Sequence, residues 1–541
     1  MKIQYETESY EGFPAMGTLA MALMEHTGIR EYIDSMCVFD PSRRILSPGM
    51  AVKAMIGPIF GTKHKSPLCN IGLFYAAAPT CLLFGQKVER ECLNDSAFGR
   101  ALDTLFDADR KEMLWNCSKM CADMYSLSSD VFHLDASNIS LFAEAQENRD
   151  GAAVPNYCGH AKDGRNGLVQ YSMMAVTDSN GLLRCHVPYT GSTSDVVMDR
   201  EMIGFLSERI DCPVSTVIAD SKMANAGTID LLFEKDLGFV TKCPFGFAQK
   251  IRDEVLEESQ GKLLQCKREG ARIFETLRIV NGHGLRFVVY ALGDSGDAEF
   301  CRKDGEKRLK AAFSKITGTE YNCEPDARQA LEGAMEICDS VAYDVTAQVV
   351  PYEVKVRRPT RGRPRKGSED PGTETKYRIE VSWEFDTDTA ERMGRDHGTQ
   401  VLVTNLPRSD EKRDNPRDGA DAETILELYL DEYKVEHTYR LMKSGLGVDE
   451  VYLHTPEREN AMQFVISIAT ILSNVIDAVL ARMPGVRVTA DRLCWKMISV
   501  STDYNREDDC MMIRGYEGAS KEFFRYLEQL DVFPGLLLGH K

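Results

Sequence analysis

Three acidic side chains stand where this sequence could do chemistry on phosphate. Two of them, Asp135 and Asp220, close short apolar runs, VFHLD and VSTVIAD, that read as buried strands ending in a carboxylate. In open α/β sheets, ligands meet the fold at strand ends. A strand-end Asp is as readily a helix cap or a turn residue, so neither position makes a site alone. The third acid, Glu436, sits in ILELYLDEYKVEHTYRLMKSG, which reads as a helix from about Ala422 to Lys443. At about 100° per residue, Tyr429, Glu432, Tyr433, Glu436, Arg440 and Lys443 fall within about 60° of one line. A solvated face is the ordinary reading of such a stripe. Two tyrosines are costly to leave in water, however, and acid, base and phenol together suit a phosphate and metal surface.

The elements that must hold these residues follow from periodicity. Residues 1–127 read as helical, with Ser47 capping SPGMAVKAMIGPIF, Asn94 starting a second amphipathic helix and a third running from about Asp109. From 128 to 244 the pattern changes to strands and helices in alternation, which indicates an α/β core. It includes two strands about a Ser179-Asn180-Gly181 turn, a helix from about Ser194 to Arg209, and the strand GFVTKC. Residues 245–395 interrupt that core as a β-rich insertion, with a hairpin in ETLRIVNGHGLRFVVYAL, two charged helices and two further strands. The core resumes over 396–485 with VLVTNL, the helix bearing Glu436 and a long apolar helix, and 486–541 forms a mixed tail. Phe464 to Ala481 is the most apolar stretch, but Ser467, Thr470, Ser473, Asn474 and Asp477 interrupt it. It therefore reads as a buried helix and not a membrane span.

With 541 residues, 43% hydrophobic and 27% charged, the chain fits a globular protein of several domains. The formal charge of −18, from 65 basic and 83 acidic residues, argues against a generic nucleic-acid coat. It leaves room for a local basic patch. Sixteen cysteines in no regular framework, and an acidic start, MKIQYETESYEG, without an apolar signal core, suggest a reducing cytoplasm. Cys117 and Cys121 read as packing residues, and His133 as a satisfied core histidine. No phosphate-binding Gly-Lys-Ser loop, nucleophile elbow or dinucleotide fingerprint is present.

The helix with Glu436 resembles the Y-(2)-R-(3)-E-(6)-K signature of cut-and-paste bacterial insertion-sequence transposases with an Asp-Asp-Glu triad. Tyr429, Glu436 and Lys443 match it, and Glu432 stands where the family usually has Arg. LDASNISLF and VIADSKMANAG resemble the two Asp segments. GHAKDGRNGLVQYSMMAVTDSNGLL, VLVTNL and TPERENAMQFVISIATIL resemble the stretches around them. SPGMAVKAMI and LNDSAFGRALD resemble the helical leader of one branch. The similarity spans nearly the whole chain. It implies an α/β fold with a ribonuclease-H-like core, interrupted by the β-rich insertion and preceded by an α-helical domain for DNA binding and dimerisation.

The resemblance also implies the chemistry. Three converging carboxylates repel one another without a cation, and hard oxygen ligands select Mg²⁺ or Mn²⁺. Two ions about 3.5–4 Å apart can hold both the attacking and the leaving oxygen of an in-line phosphoryl displacement. Asp135 is then the bridging ligand, with Asp220 and Glu436 each completing one metal shell. The expected partners are inverted-repeat element ends and target DNA, bound by a homodimer, with no membrane. Tyr429, Arg440, Lys443, Lys162 and Arg165 would contact DNA. From Lys355 to Lys366 there are seven basic residues and no acidic one. Within that run Arg361, Arg363 and Arg365 form a minor-groove motif of the AT-hook kind, with a solvated loop as the alternative. Two other functions stay open: a transposase-derived DNA-binding protein that no longer cuts, and a nuclease that cuts without joining.

Overall fold

The structure, a computed structural model, describes residues 13–61, 68–141 (save 77, 79 and 87), 157–158, 169–189, 193–292 (save 245), 298–338 (save 336), 341–355, 372–390, 399–409, 413–442, 453, 455–485, 488–505, 510–515 and 517–532. The chain divides into two compact units. The first comprises Met1–Thr241, Asn405–Ala420 and Glu427–Lys541; the second comprises Lys242–Thr404 and Asp421–Leu426.

The first unit contains a mixed sheet. Its strands are β1 (Val131–Leu141), β2 (Val169–Asp178), β3 (Leu183–Tyr189), β4 (Thr216–Ala219) and β5 (Gly238–Lys242). They lie in the order β3-β2-β1-β4-β5. β2 runs antiparallel to both its neighbours, β1 and β3, while β4 and β5 run parallel to β1. Local chemistry makes the β2–β3 hairpin. The Asp178 carboxylate accepts the Asn180 and Leu182 N–H groups at 2.9 and 3.1 Å, and Gly181 takes the positive φ of 76° that the turn requires.

β1 does not stop at Asp135, as the sequence pattern suggests. β2 supplies hydrogen-bond partners as far as Leu141, with Asp135 opposite Ala175. The parallel pairing with β4 ends earlier, at Leu134 opposite Ala219. Asp135 and Asp220 therefore follow the last paired residues of two adjacent parallel strands, where the sheet opens.

The caps Ser47 and Asn94 proposed from the sequence form, and Asp109, read there only as a helix start, caps as well. Ser47 Oγ accepts the Met50 N–H at 3.2 Å, Asn94 accepts that of Ala97 at 2.9 Å and Asp109 that of Glu112 at 3.1 Å. The helical leader shares one hydrophobic core with the long helix Pro456–Ala481, with Met173, Leu182 and Leu183 of the hairpin, and with Val435 and Tyr439. The chain's last part returns to its first: Ser501–Asn505 pairs with Phe13–Pro14. Pro456–Ala481 is long and apolar enough to cross a membrane by composition, yet 83% of its most apolar window is buried within the protein. Two of its polar interruptions bond to the β3 strand. Ser467 hydrogen-bonds His186 Nδ1 at 2.5 Å, and Asn474 accepts the Leu183 N–H at 3.2 Å.

The helix expected from Ala422 to Lys443 is broken. It forms as Ala422–Leu430 and Tyr433–Arg440. Between them the chain tightens, with the Glu432 N–H donating to Tyr429 O and the Lys434 N–H to Asp431 O, both three residues back. The Lys434 ammonium anchors the bend by donating to Ser179 O at 2.7 Å and to Asp431 at 2.6 Å. One helical wheel thus cannot describe both halves.

The second unit contains a hairpin, Ala271–Val280 with His283–Leu292, that turns at Asn281-Gly282, both with positive φ. Strand Thr399–Thr404 pairs with His283–Leu292. A two-stranded ribbon, Tyr343–Lys355 with Thr373–Phe385, packs on two helices through Leu309, Phe313, Val341 and Trp383.

Candidate functional site

Asp135 and Asp220 line one cleft of about 140 Å³, together with Leu134, Ala136, Asp195, Asp199, Ala219 and Lys222. Each carboxylate is positioned by its own element. The backbone at Asp135 is clamped by the buried Tyr439, whose hydroxyl donates to Asp135 O at 2.6 Å and to Met173 O at 3.0 Å. The Asp135 side chain accepts the Ala136 N–H at 2.8 Å. Asp220 caps the turn Ser221–Met223, accepting the Ser221 N–H at 2.6 Å, and Thr241 of β5 donates to its carbonyl at 2.9 Å.

Two further acids come from the helix Asp195–Ser207, which follows β3. Tyr189 donates its hydroxyl to Asp195 at 2.5 Å, and Lys222 forms an ion pair with the same carboxylate. Asp199 lies one turn further on. It is only 5% exposed, and no hydrogen bond or ion pair holds it among the described residues. Burial, and then the neighbouring Asp195, push its carboxyl up to about 7. Lys222 opposes that rise, while Asp135 and Asp220 add to it.

Glu432 belongs to the same field. Burial, and after it Asp135 and Asp220, push this half-buried carboxyl up to about 7. A hydrogen bond from Tyr429 works the other way, and Glu436 contributes last. Glu436 itself is exposed and is not among the residues that line the cleft. Among the described residues, no three His, Cys, Asp or Glu side chains are gathered closely enough to hold a metal ion. The expected ligand set is thus assembled only in part. Asp135 and Asp220 meet in one cleft; Glu436, beyond the bend that breaks its helix, does not join them there. The donor chemistry still fits a divalent cation, because the cleft offers hard carboxylate oxygens, among them those of the buried Asp199, which has no hydrogen bond or ion pair among the described residues.

The other predicted contacts are placed as follows. Arg440 is exposed, and its guanidinium meets His437 Nδ1 at 2.6 Å. Tyr429 stands beside Glu432. Lys443, Lys162, Arg165, Arg361, Arg363 and Arg365 lie outside the described residues. Cys117 and Cys121 are buried in the leader's core. His133 is buried as expected, but it is not satisfied. Neither ring nitrogen has a hydrogen-bond partner, and burial, with Lys434 adding to it, lowers its pKa to about 4. The ring is therefore neutral at pH 7.

The sequence argument missed Asp195, Asp199 and Lys222. The available signal was the four-residue spacing of Asp195 and Asp199 at the start of a helix, which places both on one face.

Comparison with known proteins adds little chemistry. Residues 16–118, within the helical leader, match the family model described as "Domain of unknown function (DUF4277)". No curated protein matches the chain. Among solved structures, the chain is similar to piggyBac transposase in a synaptic complex with hairpin DNA. The identity is 10%, the match covers 98% of this chain and 86% of that one, and the TM-score is 0.38. A likeness of that size fixes neither fold nor activity, so what the protein does has to be argued from the cleft.

Proposed function

We propose that this chain is a DNA transposase of the Asp-Asp-Glu kind, cleaving and joining phosphodiesters at element ends with divalent cations. The observation that carries this reading is the pair Asp135 and Asp220. They follow the last paired residues of two adjacent parallel strands, Leu134 and Ala219, and line one acidic cleft. The strand order β3-β2-β1-β4-β5, three antiparallel strands followed by two parallel ones, supports a ribonuclease-H-like core. It puts the first acid on the central strand and the second after the neighbouring parallel one.

Bound Mg²⁺ or Mn²⁺ would supply Lewis acidity to the phosphate and lower the pKa of the attacking water or 3′-hydroxyl. The chain's own residues supply the rest. Asp135 and Asp220 would hold the cations, and Glu432 or Glu436 would complete the shell from the bent helix. Tyr439 fixes the Asp135 backbone from the same helix, so any shift of that helix is felt at the first acid. Tyr429, Arg440 and Lys443 would meet DNA phosphates, as would Lys162 and Arg165. Arg361, Arg363 and Arg365 would enter the minor groove. A homodimer would pair the two ends, in the cytoplasm.

The test is incubation with end-containing DNA and Mg²⁺. Nicking at the element boundary and a captured joined product are expected. Asp135→Asn and Asp220→Asn should each abolish both while leaving DNA binding. Cleavage without joining would identify a nuclease. End binding by the wild type with no cleavage under any divalent ion would overturn the enzyme. The outcome would then be a transposase-derived DNA-binding protein, a reading favoured by the exposed Glu436 outside the cleft.

A further inference from the structure

The cleft holds four carboxylates, Asp135, Asp195, Asp199 and Asp220, and among the described residues its lining includes one basic side chain, Lys222. Lys222 pairs with Asp195 across 27 positions of sequence, from the turn that Asp220 caps. The Lys222 side chain is 51% exposed, whereas that of Asp195 is 16% exposed. The lysine therefore reaches from solvent into the acid, as a mobile ion would. Asp199 is left buried beside this pair with no hydrogen bond or ion pair among the described residues. Its two oxygens await a cation that the lysine, committed to Asp195, does not supply.

We propose that Lys222 is a tethered counter-cation: it neutralises the cleft through Asp195 when no divalent ion is present and must leave Asp195 for one to bind. The proposal rests on the metal-dependent reading above and extends it to a residue outside the acidic triad. The ammonium offsets the charge of Asp195, and the remaining carboxylates of the cleft still attract a doubly charged ion. When the ammonium leaves, Asp195 loses that ion pair and keeps the Tyr189 hydroxyl, in the cleft that Asp199 also lines. Occupancy then becomes a competition between a covalently tethered charge and a free one.

The experiment uses the full chain with Mn²⁺ as the probe, read by electron paramagnetic resonance and calorimetry. Lys222→Gln should bind Mn²⁺ about 10-fold more tightly than the wild type, the scale set by removing one competing charge at close range. In the wild type, Mg²⁺ should raise the labelling of Lys222 by an amine-reactive reagent several-fold, as read by mass spectrometry, while Lys235, which pairs with Glu234, stays constant. A saturable Mn²⁺ site that Asp135→Asn removes, but that is indifferent to Lys222→Gln and leaves Lys222 labelling unchanged, would overturn the proposal alone. Absence of any Mn²⁺ site sensitive to Asp135→Asn would overturn the metal-dependent reading and the tethered counter-cation with it.

Discussion

Buried charge is handled in opposite ways in two parts of the first unit. In the helical leader, Lys53 is 1% exposed, but its ammonium meets Glu25 at 2.7 Å. Arg30 meets Glu25 at 2.7 Å and Asp34 at 3.4 Å. Asp34 also accepts the Gly49 N–H and the Ser47 hydroxyl, each at 2.7 Å. Burial pulls the Lys53 pKa down to about 8, with Glu25 resisting, so it stays charged at pH 7. Burial would raise the Glu25 pKa, but Lys53 and then Arg30 hold it below the usual carboxylate range. In the cleft, Lys222 pairs with Asp195 alone of four aspartates, and both Asp199 and Glu432 are displaced upward instead. A matched network is what a fold needs from buried charge. An unmatched one lowers stability and persists where a ligand supplies the missing charge.

The comparison can be broken at several points, the largest expected effect first. Lys53→Met should strip the leader of its buried cation and lower stability by about 3–5 kcal/mol, read from urea unfolding. A loss under about 1 kcal/mol would mean that the network contributes no more than a surface pair.

The next effect is one of pH. Asp199 and Glu432 have ordinary values of 3.8 and 4.5 and folded values of about 7. Between those limits the folded protein binds more protons than the unfolded chain. Their contribution to stability is therefore full at low pH and is lost as pH rises toward 7. Thermal unfolding in chelator should show this decline, and Mg²⁺ should reverse it at pH 8. Combining Asp199→Asn with Glu432→Gln should flatten it.

Asp199→Asn alone should have the sign opposite to Lys53→Met. Removing an unmatched charge should stabilise the metal-free protein at pH 8 by about 1–3 kcal/mol, while weakening Mn²⁺ binding. Destabilisation there would show that Asp199 is held by a partner after all. The smallest effect belongs to an exposed pair used as a reference, Arg458 with Asp103 at 2.7 and 2.8 Å. Asp103→Ala should cost below about 1 kcal/mol.

What was legible in the sequence is what neighbouring residues decide. The caps Ser47, Asn94 and Asp109, the turn at Asp178–Gly181 and the buried strands before Asp135 and Asp220 each follow from hydrogen bonds and periodicity within a few residues. Tertiary structure decided where charge collects. The strand β1 continues past Asp135 because β2 pairs with it. The helix bearing Glu436 bends where Lys434 grips Ser179, 255 positions away. Glu432 joins the field of Asp135 and Asp220, while Glu436 stays outside the cleft. Lys53 looks like a surface lysine until Glu25 is folded against it, and Asp199 looks like a surface acid until folding buries it beside Asp195. Electrostatic energy depends on distance in space and on exclusion of water, and neither is written in the spacing of residues along the chain.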